Sequence, residues 1–184
     1  MRIIMIALCP CVLFLVMLTS CSRYIDKVNR GAETGVRNGF FIFYPDSNML
    51  IYTSSVGLSR DTEKMSPEHF KVMLPKGIKY YEITNSTDFS VYYDGRQAIW
   101  IRIDFDKNLR RDTIYNPTQR ELDSLLESRP IVQKSKYDIT AKAFSVKRKS
   151  VLVKKDGAII LLYNIKPNKY GQFYKSVNSF SFIK

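Results

Sequence analysis

The sequence predicts an α+β fold: a mostly antiparallel sheet built from hairpins, with two or three helices packed against it, in a single domain. Three observations predict it. Runs rich in aromatic and β-branched residues alternate with short turn sequences, the pattern of strands joined by hairpins. Two segments, at Ser66-Pro67-Glu68 and Asn116-Pro117-Thr118-Gln119, carry a cap residue and a proline, and apolar residues follow each at helical spacing. Asp-Gly occurs twice between apolar runs, at 94–95 and 156–157, and a two-residue Asp-Gly loop favours a type I′ turn whose twist suits antiparallel strands.

Taken in order, Phe40 to Tyr44 and Met49 to Thr53 read as two strands around the turn Pro45-Asp46-Ser47-Asn48. Ser66-Pro67-Glu68 then opens a helix whose apolar positions are Phe70, Met73 and Leu74, ended by Pro75. Ile78 to Thr84 reads as a strand. Phe89 to Tyr93 and Arg96 to Phe105 read as a hairpin pairing Tyr93 with Arg96, Val91 with Ala98 and Phe89 with Trp100, with Ile99, Ile101, Ile103 and Phe105 on the other face. Asn116-Pro117-Thr118-Gln119 starts a second helix with a capping box, and Leu122, Leu125 and Leu126 give it one apolar stripe to lay on the sheet. A strand over 139–146 precedes the second Asp-Gly hairpin, Val151 to Lys155 with Ala158 to Ile165. A short helix near Tyr170 to Val177 and a strand at Phe180-Ser181-Phe182-Ile183 close the chain.

Ahead of these elements, Ser22 to Asn38 is polar, carries Gly31 and Gly35, and shows no sustained apolar period, so it reads as a tether. Before it lies an apolar run, Ile3 to Leu18, broken only by Cys9, Pro10 and Cys11, with Arg2 as the single preceding charge. That run is shorter than the ~20 residues a bilayer span requires, and it ends in Leu18-Thr19-Ser20-Cys21. The segment resembles the lipobox of a bacterial lipoprotein signal peptide. The resemblance implies cleavage before Cys21, acylation of Cys21 and an anchor made of lipid chains. It divides the chain into a signal peptide at 1–20, an acylated tether at 21–38 and an α+β domain at 39–184. It also implies a place in the cell envelope, at the outer membrane. The absence of an acidic run in Ser22-Arg23-Tyr24 points to the periplasmic side.

Cysteine use follows from that reading. Cys9 and Cys11 leave with the signal and Cys21 carries lipid, so the mature chain keeps no thiol for a disulfide, a metal or a nucleophile. The mature chain holds 28 basic and 17 acidic side chains, a net charge of +11. Such a balance attracts polyanions, and in the envelope these are anionic headgroups, lipopolysaccharide and peptidoglycan carboxylates, with no role for nucleic acid. Basic residues are densest from Lys134 to Lys155, and Lys147, Arg148 and Lys149 are the candidates for binding an anionic surface; a solvated face is the other explanation of such a run.

The order of elements, together with Tyr174-Lys175-Ser176-Val177-Asn178-Ser179-Phe180-Ser181-Phe182, is similar to the Mog1/PsbP-like family. That resemblance implies an α/β/α sandwich used for binding or assembly, and it transfers no catalytic residue.

Chemistry-bearing residues are sparse. His69, the one histidine, falls in the first turn of the helix opened at Ser66, and the mature chain has no cysteine or second histidine to complete a metal or nucleophile set. Asp104 and Asp106 share a face near a strand end, as paired carboxylates or calcium ligands do, but Arg102, Lys107 and Arg110 stand close enough in sequence to pair with them. Glu121 and Asp123 are two apart on a helix and diverge. Tyr80-Tyr81 and Tyr92-Tyr93 offer an aromatic platform to which each pair contributes one ring, since neighbours on a strand face opposite ways. No catalytic residue, metal or cofactor is expected. The sequence therefore reads as a non-enzymatic envelope lipoprotein, a binding or assembly module with an envelope protein partner, such as an accessory subunit of an envelope complex or an immunity protein. The alternative is a glycan or lipid hydrolase using Asp104 and Asp106.

Overall fold

A computed structural model of the protein describes residues 26–53, 69–84, 87–94, 96–103, 112–127, 147–155 and 157–183. Two antiparallel six-stranded sheets dominate it. The first holds β1 (Asp26–Arg30), β2 (Glu33–Asn38), β3 (Phe41–Tyr44), β4 (Met49–Tyr52), β5 (Phe70–Met73) and β12 (Ser181–Phe182) in that spatial order. The second runs β6 (Tyr80–Thr84), β7 (Asp88–Tyr93), β8 (Gln97–Ile103), β11 (Ala158–Ile165), β10 (Lys149–Lys155) and β9 (Thr113–Tyr115). Helix α1 (Gln119–Glu127) lies on the outer face of the second sheet, and α2 (Pro167–Asn178) closes one end of the core.

The two sheets pack face to face because each presents one apolar row to the other. Phe41, Phe43, Leu50, Tyr52, Phe70 and Val72 of the first sheet share a buried cluster with Phe89, Val91, Ile99, Ile101, Ile160 and Leu162 of the second. The ring of Phe89 lies 6.0 Å from Phe41 and 5.3 Å from Phe43. Helix α2 begins on Pro167 and buries Phe173 and Val177 one turn apart, with Phe173 edge-on to Tyr93 at 4.7 Å. Its end is tied back where Ser179 Oγ accepts the Met73 amide at 3.1 Å, and Phe180 then stacks on Phe70. The layering is thus sheet on sheet, which departs from the α/β/α sandwich that the family resemblance implies.

Four local expectations are corrected. Phe70–Met73 is a strand, not a helix: Phe70 and Val72 are buried while Lys71 and Met73 face out, a period of two. The open edge of β4 takes it up, with Tyr52 stacked on Phe70 at 5.1 Å. In the β7–β8 hairpin the register is one residue longer than expected, pairing Tyr93 with Gln97, Val91 with Ile99 and Phe89 with Ile101. The one-residue shift places Phe89, Val91 and Tyr93 on the same face as Ile99, Ile101 and Ile103, where all six are buried together.

Third, the stretch read as a tether carries the hairpin β1–β2 from Asp26 to Asn38, turning at Gly31 with φ +60°. Its second strand has a buried glycine because the Tyr44 ring lies across it: a Cβ on Gly35 would stand 2.7 Å from Tyr44 Cε1. Fourth, His69 leads into β5 rather than sitting in a helical turn, and its carbonyl accepts the Ile183 amide at 2.7 Å. The lipobox and Cys21, Ser66-Pro67-Glu68, Gly95, Asp104, Asp106 and the strand expected over 139–146 lie outside the described residues.

Candidate functional site: two basic clefts beside helix α1

Helix α1 is set by its own first turn. Thr118 Oγ1 accepts the Glu121 amide, and Glu121 Oε2 accepts the Thr118 amide at 2.8 Å, the reciprocal capping box that the sequence predicts. Tyr115 of β9 donates its hydroxyl to Glu121 Oε1 at 3.2 Å. These donors hold the Glu121 carboxyl below the usual carboxylate range, the Thr118 amide most of all. Burial first, and then the neighbouring carboxylate, pushes the Tyr115 phenol up. Leu122 is buried against the sheet with Leu125 and Leu126 packed beside it, over Trp100, Leu152 and Leu161. The expected leucine stripe therefore seats the helix.

One cleft, of about 490 Å³, opens beside the start of α1. Asn116, Pro117, Gln119 and Leu122 form one wall, and Arg148, Lys149, Ser150 and Tyr170 the other. A bulge shapes that second wall: Lys149 pairs with Ile165 but Val151 with Leu162, so Tyr163 and Asn164 face Ser150 alone. Asn164 takes φ +55° there, its amide donating to Ser150 Oγ at 3.0 Å and its side-chain Nδ2 to the Arg96 carbonyl at 2.9 Å. Arg148 Nη1 donates to the Asn164 carbonyl, and Lys149 Nζ stands 4.9 Å from the Tyr170 ring centroid, itself stacked on Tyr174. Of the three basic residues predicted to meet an anionic surface, Arg148 and Lys149 line this cleft. Lys147 is exposed just before the strand and is not part of the lining.

A second cleft, of about 460 Å³, lies on the other flank of α1. Its floor is Leu125, Leu152 and Ile159, and Arg102, Arg120 and Lys154 bring positive charge to it from three elements. Arg102 is held from behind. Asp88, only 4% exposed, accepts Arg102 Nε at 2.9 Å and Trp100 Nε1 at 3.0 Å on the same oxygen, and the guanidinium lies 4.6 Å over the Trp100 ring. Lys154 stands 5.9 Å from the Tyr115 ring centroid. Sequence reasoning missed this convergence. Residues 102, 120 and 154 are far apart in the chain, and only the strand order β8-β11-β10-β9 brings them to one place.

The tyrosine pairs divide as their alternation requires. Tyr80 and Tyr92 lie on the outer face of the second sheet with rings 5.7 Å apart, Tyr80 exposed but Tyr92 buried, whereas Tyr81 meets Phe43 and Tyr93 meets Phe173 between the sheets. Glu121 and Asp123 are engaged on α1, Asp123 accepting Gln119 Nε2 at 2.7 Å. Among the described residues no group of three or more His, Cys, Asp or Glu could hold a metal ion, and no helix is long and apolar enough to cross a membrane. The chain matches no protein-family model, no curated protein and no solved structure.

Proposed function

We propose that this chain is a single-domain lipoprotein of the bacterial envelope, anchored at the outer membrane through acylated Cys21 on the periplasmic side. It acts there as a non-enzymatic binding or assembly module, with the first cleft as its contact with an anionic partner or surface. The observation that carries the reading is the meeting of Arg148, Lys149 and Tyr170 at the start of α1. Cations bind anionic groups by charge without any reacting group, and the negative face of the Tyr170 ring holds the Lys149 ammonium in place at the cleft. The hairpin β1–β2 adds to it. With a strand starting at Asp26, five residues after Cys21, an extended connection reaches only about 17 Å, so the sheets sit close to the bilayer. An accessory subunit of an envelope complex and an immunity protein both suit such a module.

The test has two readouts on the full chain. Cells fed an alkyne-bearing palmitate should label the protein, and Cys21→Ala should abolish the label; an unlabelled wild-type chain overturns the anchor. The purified chain, held in discs of neutral lipid, should capture phosphatidylglycerol vesicles over phosphatidylcholine vesicles. Capture should fall as salt rises, since exposed charges are screened over roughly 8 Å at physiological ionic strength. It should also fall in the triple variant Lys147→Gln, Arg148→Gln, Lys149→Gln. Equal capture of both vesicles overturns the surface assignment.

A further inference from the structure

We propose that the second cleft, between α1 and the outer face of the second sheet, binds a small amphiphilic oxyanion: a carboxylate or phosphate group carried on a short aliphatic chain. This inference concerns a different site and stands without the lipid anchor. The cleft has the dimensions of a small-molecule site, about 460 Å³, within the usual range of such pockets. Its chemistry is split in two. Leu125, Leu152 and Ile159 make an apolar floor, while Arg102, Arg120 and Lys154 supply cations that a neutral ligand would not use.

Two carboxylates, Asp88 behind Arg102 and Glu121 beside Lys154, offset only part of that charge, so three cations against two anions leave the cleft positive. Glu121 accepts from the Thr118 amide and hydroxyl and from the Tyr115 hydroxyl, and its charge is shared between that helix cap and Lys154. Arg102 is ordered before any ligand arrives. Its Nε is committed to buried Asp88 and its plane rests on Trp100, which fixes the direction of the guanidinium and lowers the ordering cost of binding. A planar guanidinium matches the paired oxygens of carboxylate and phosphate alike. An aliphatic chain attached to that head would cover the Leu125 and Ile159 floor and gain from leaving water. A highly charged polymer such as a nucleic acid would leave that floor exposed, and a plain alcohol would bring no charge to meet the cleft's excess of positive charge.

The experiment uses the full chain in discs of neutral lipid, with hexanoate, hexyl phosphate and hexanol as probes followed by ligand-observed NMR. Both anions should bind, and the tighter of the two names the head group; hexanol should bind at least about tenfold more weakly, because it forms no charge-assisted hydrogen bonds. The pair Arg120→Gln and Lys154→Gln sits at the rim and should weaken both anions by about tenfold without disturbing Asp88 and Trp100. Leu125→Trp should fill the floor and abolish binding. Lys149→Gln, in the other cleft, should leave these affinities unchanged while lowering vesicle capture, so the two sites fail separately. Hexanol binding as tightly as the anions, anion binding unchanged in the double variant, or no binding of either anion overturns the proposal.

Discussion

The hairpins β7–β8 and β10–β11 carry the same Asp-Gly dipeptide between apolar strands, yet they close differently. In β10–β11, Lys155 pairs with Ala158 across two residues, and Gly157 takes φ +80°. In β7–β8, Tyr93 pairs with Gln97 across three, and Arg96 takes φ +60°. A three-residue loop commonly ends on a left-handed residue, and here an arginine accepts that conformation where glycine would adopt it without strain. The difference teaches that turn chemistry proposes a register and the core decides it. Only the longer loop puts Phe89, Val91 and Tyr93 on the face of Ile99, Ile101 and Ile103.

The largest expected effect comes from forcing the shorter loop on the first hairpin. Deleting Arg96 leaves Asp94-Gly95 as a two-residue connection and either shifts the register or strains the loop. A shifted register turns three buried side chains of β7 toward the wrong face, and a single Phe→Ala loss in a core already costs about 3–5 kcal/mol. The deletion variant should fail to show a cooperative thermal transition. A native-like melting curve would mean that the core does not set this register.

The second hairpin should break more gently. Gly157→Val places a β-branched residue at φ +80°, a strain on the order of 1–3 kcal/mol. Chemical denaturation should report a lower midpoint with an unchanged slope. A variant as stable as the wild type would show that the β10–β11 turn relaxes freely.

These two hairpins also mark how far the sequence could be read. Features set within a few residues were legible: the turn at Gly157, the Thr118–Glu121 cap, the Leu122, Leu125 and Leu126 stripe, and the helix-to-strand passage near Phe180. Features decided by distant partners were not. Phe70, Met73 and Leu74 fit a helical spacing as well as Phe70, Val72 and Leu74 fit a strand, and the free edge of β4 settled it. The strands of the β1–β2 hairpin carry an apolar side chain only at Val28 and Val36, so their pattern was hidden, and the hairpin forms because β3 offers a ladder to join. The site divides in the same way. Arg148 and Lys149 were visible as a run, whereas the cleft of Arg102, Arg120 and Lys154 depends on strand order that no local signal encodes.

An intermediate effect separates the hairpins by pH. Tyr93, the last residue before the longer loop, is 4% exposed and donates its hydroxyl to the Pro75 carbonyl at 3.2 Å; no tyrosine borders the second loop. Burial pushes its phenol well above the ordinary 10.0. The folded state therefore resists ionisation that the unfolded chain undergoes freely. Stability from this group is complete below pH 10.0 and is lost as pH rises above it, by up to about 1.4 kcal/mol per pH unit. Denaturation of the wild type and of Tyr93→Phe at pH 9, 10 and 11 checks this. The wild type should lose stability more steeply above pH 10, and parallel curves would remove Tyr93 from the alkaline response.

The smallest effect tests the comparison most directly, because its sign is opposite. If Arg96 is held left-handed only by the register that the core demands, then Arg96→Gly relieves a backbone cost of about 1–2 kcal/mol. Glycine gives back roughly 0.5–1 kcal/mol through its greater freedom in the unfolded chain. The net expectation is a gain of about 0.5 kcal/mol, visible as a melting temperature about 1–2 °C higher for a chain of this size. The Arg96 carbonyl still accepts Asn164 Nδ2 in the variant, so the tie between the β7–β8 loop and the β11 bulge is kept. Loss of stability on this substitution would instead assign the arginine side chain a structural role in the loop. In that case the two Asp-Gly hairpins would differ by their tip contacts as much as by the faces of the strands they join.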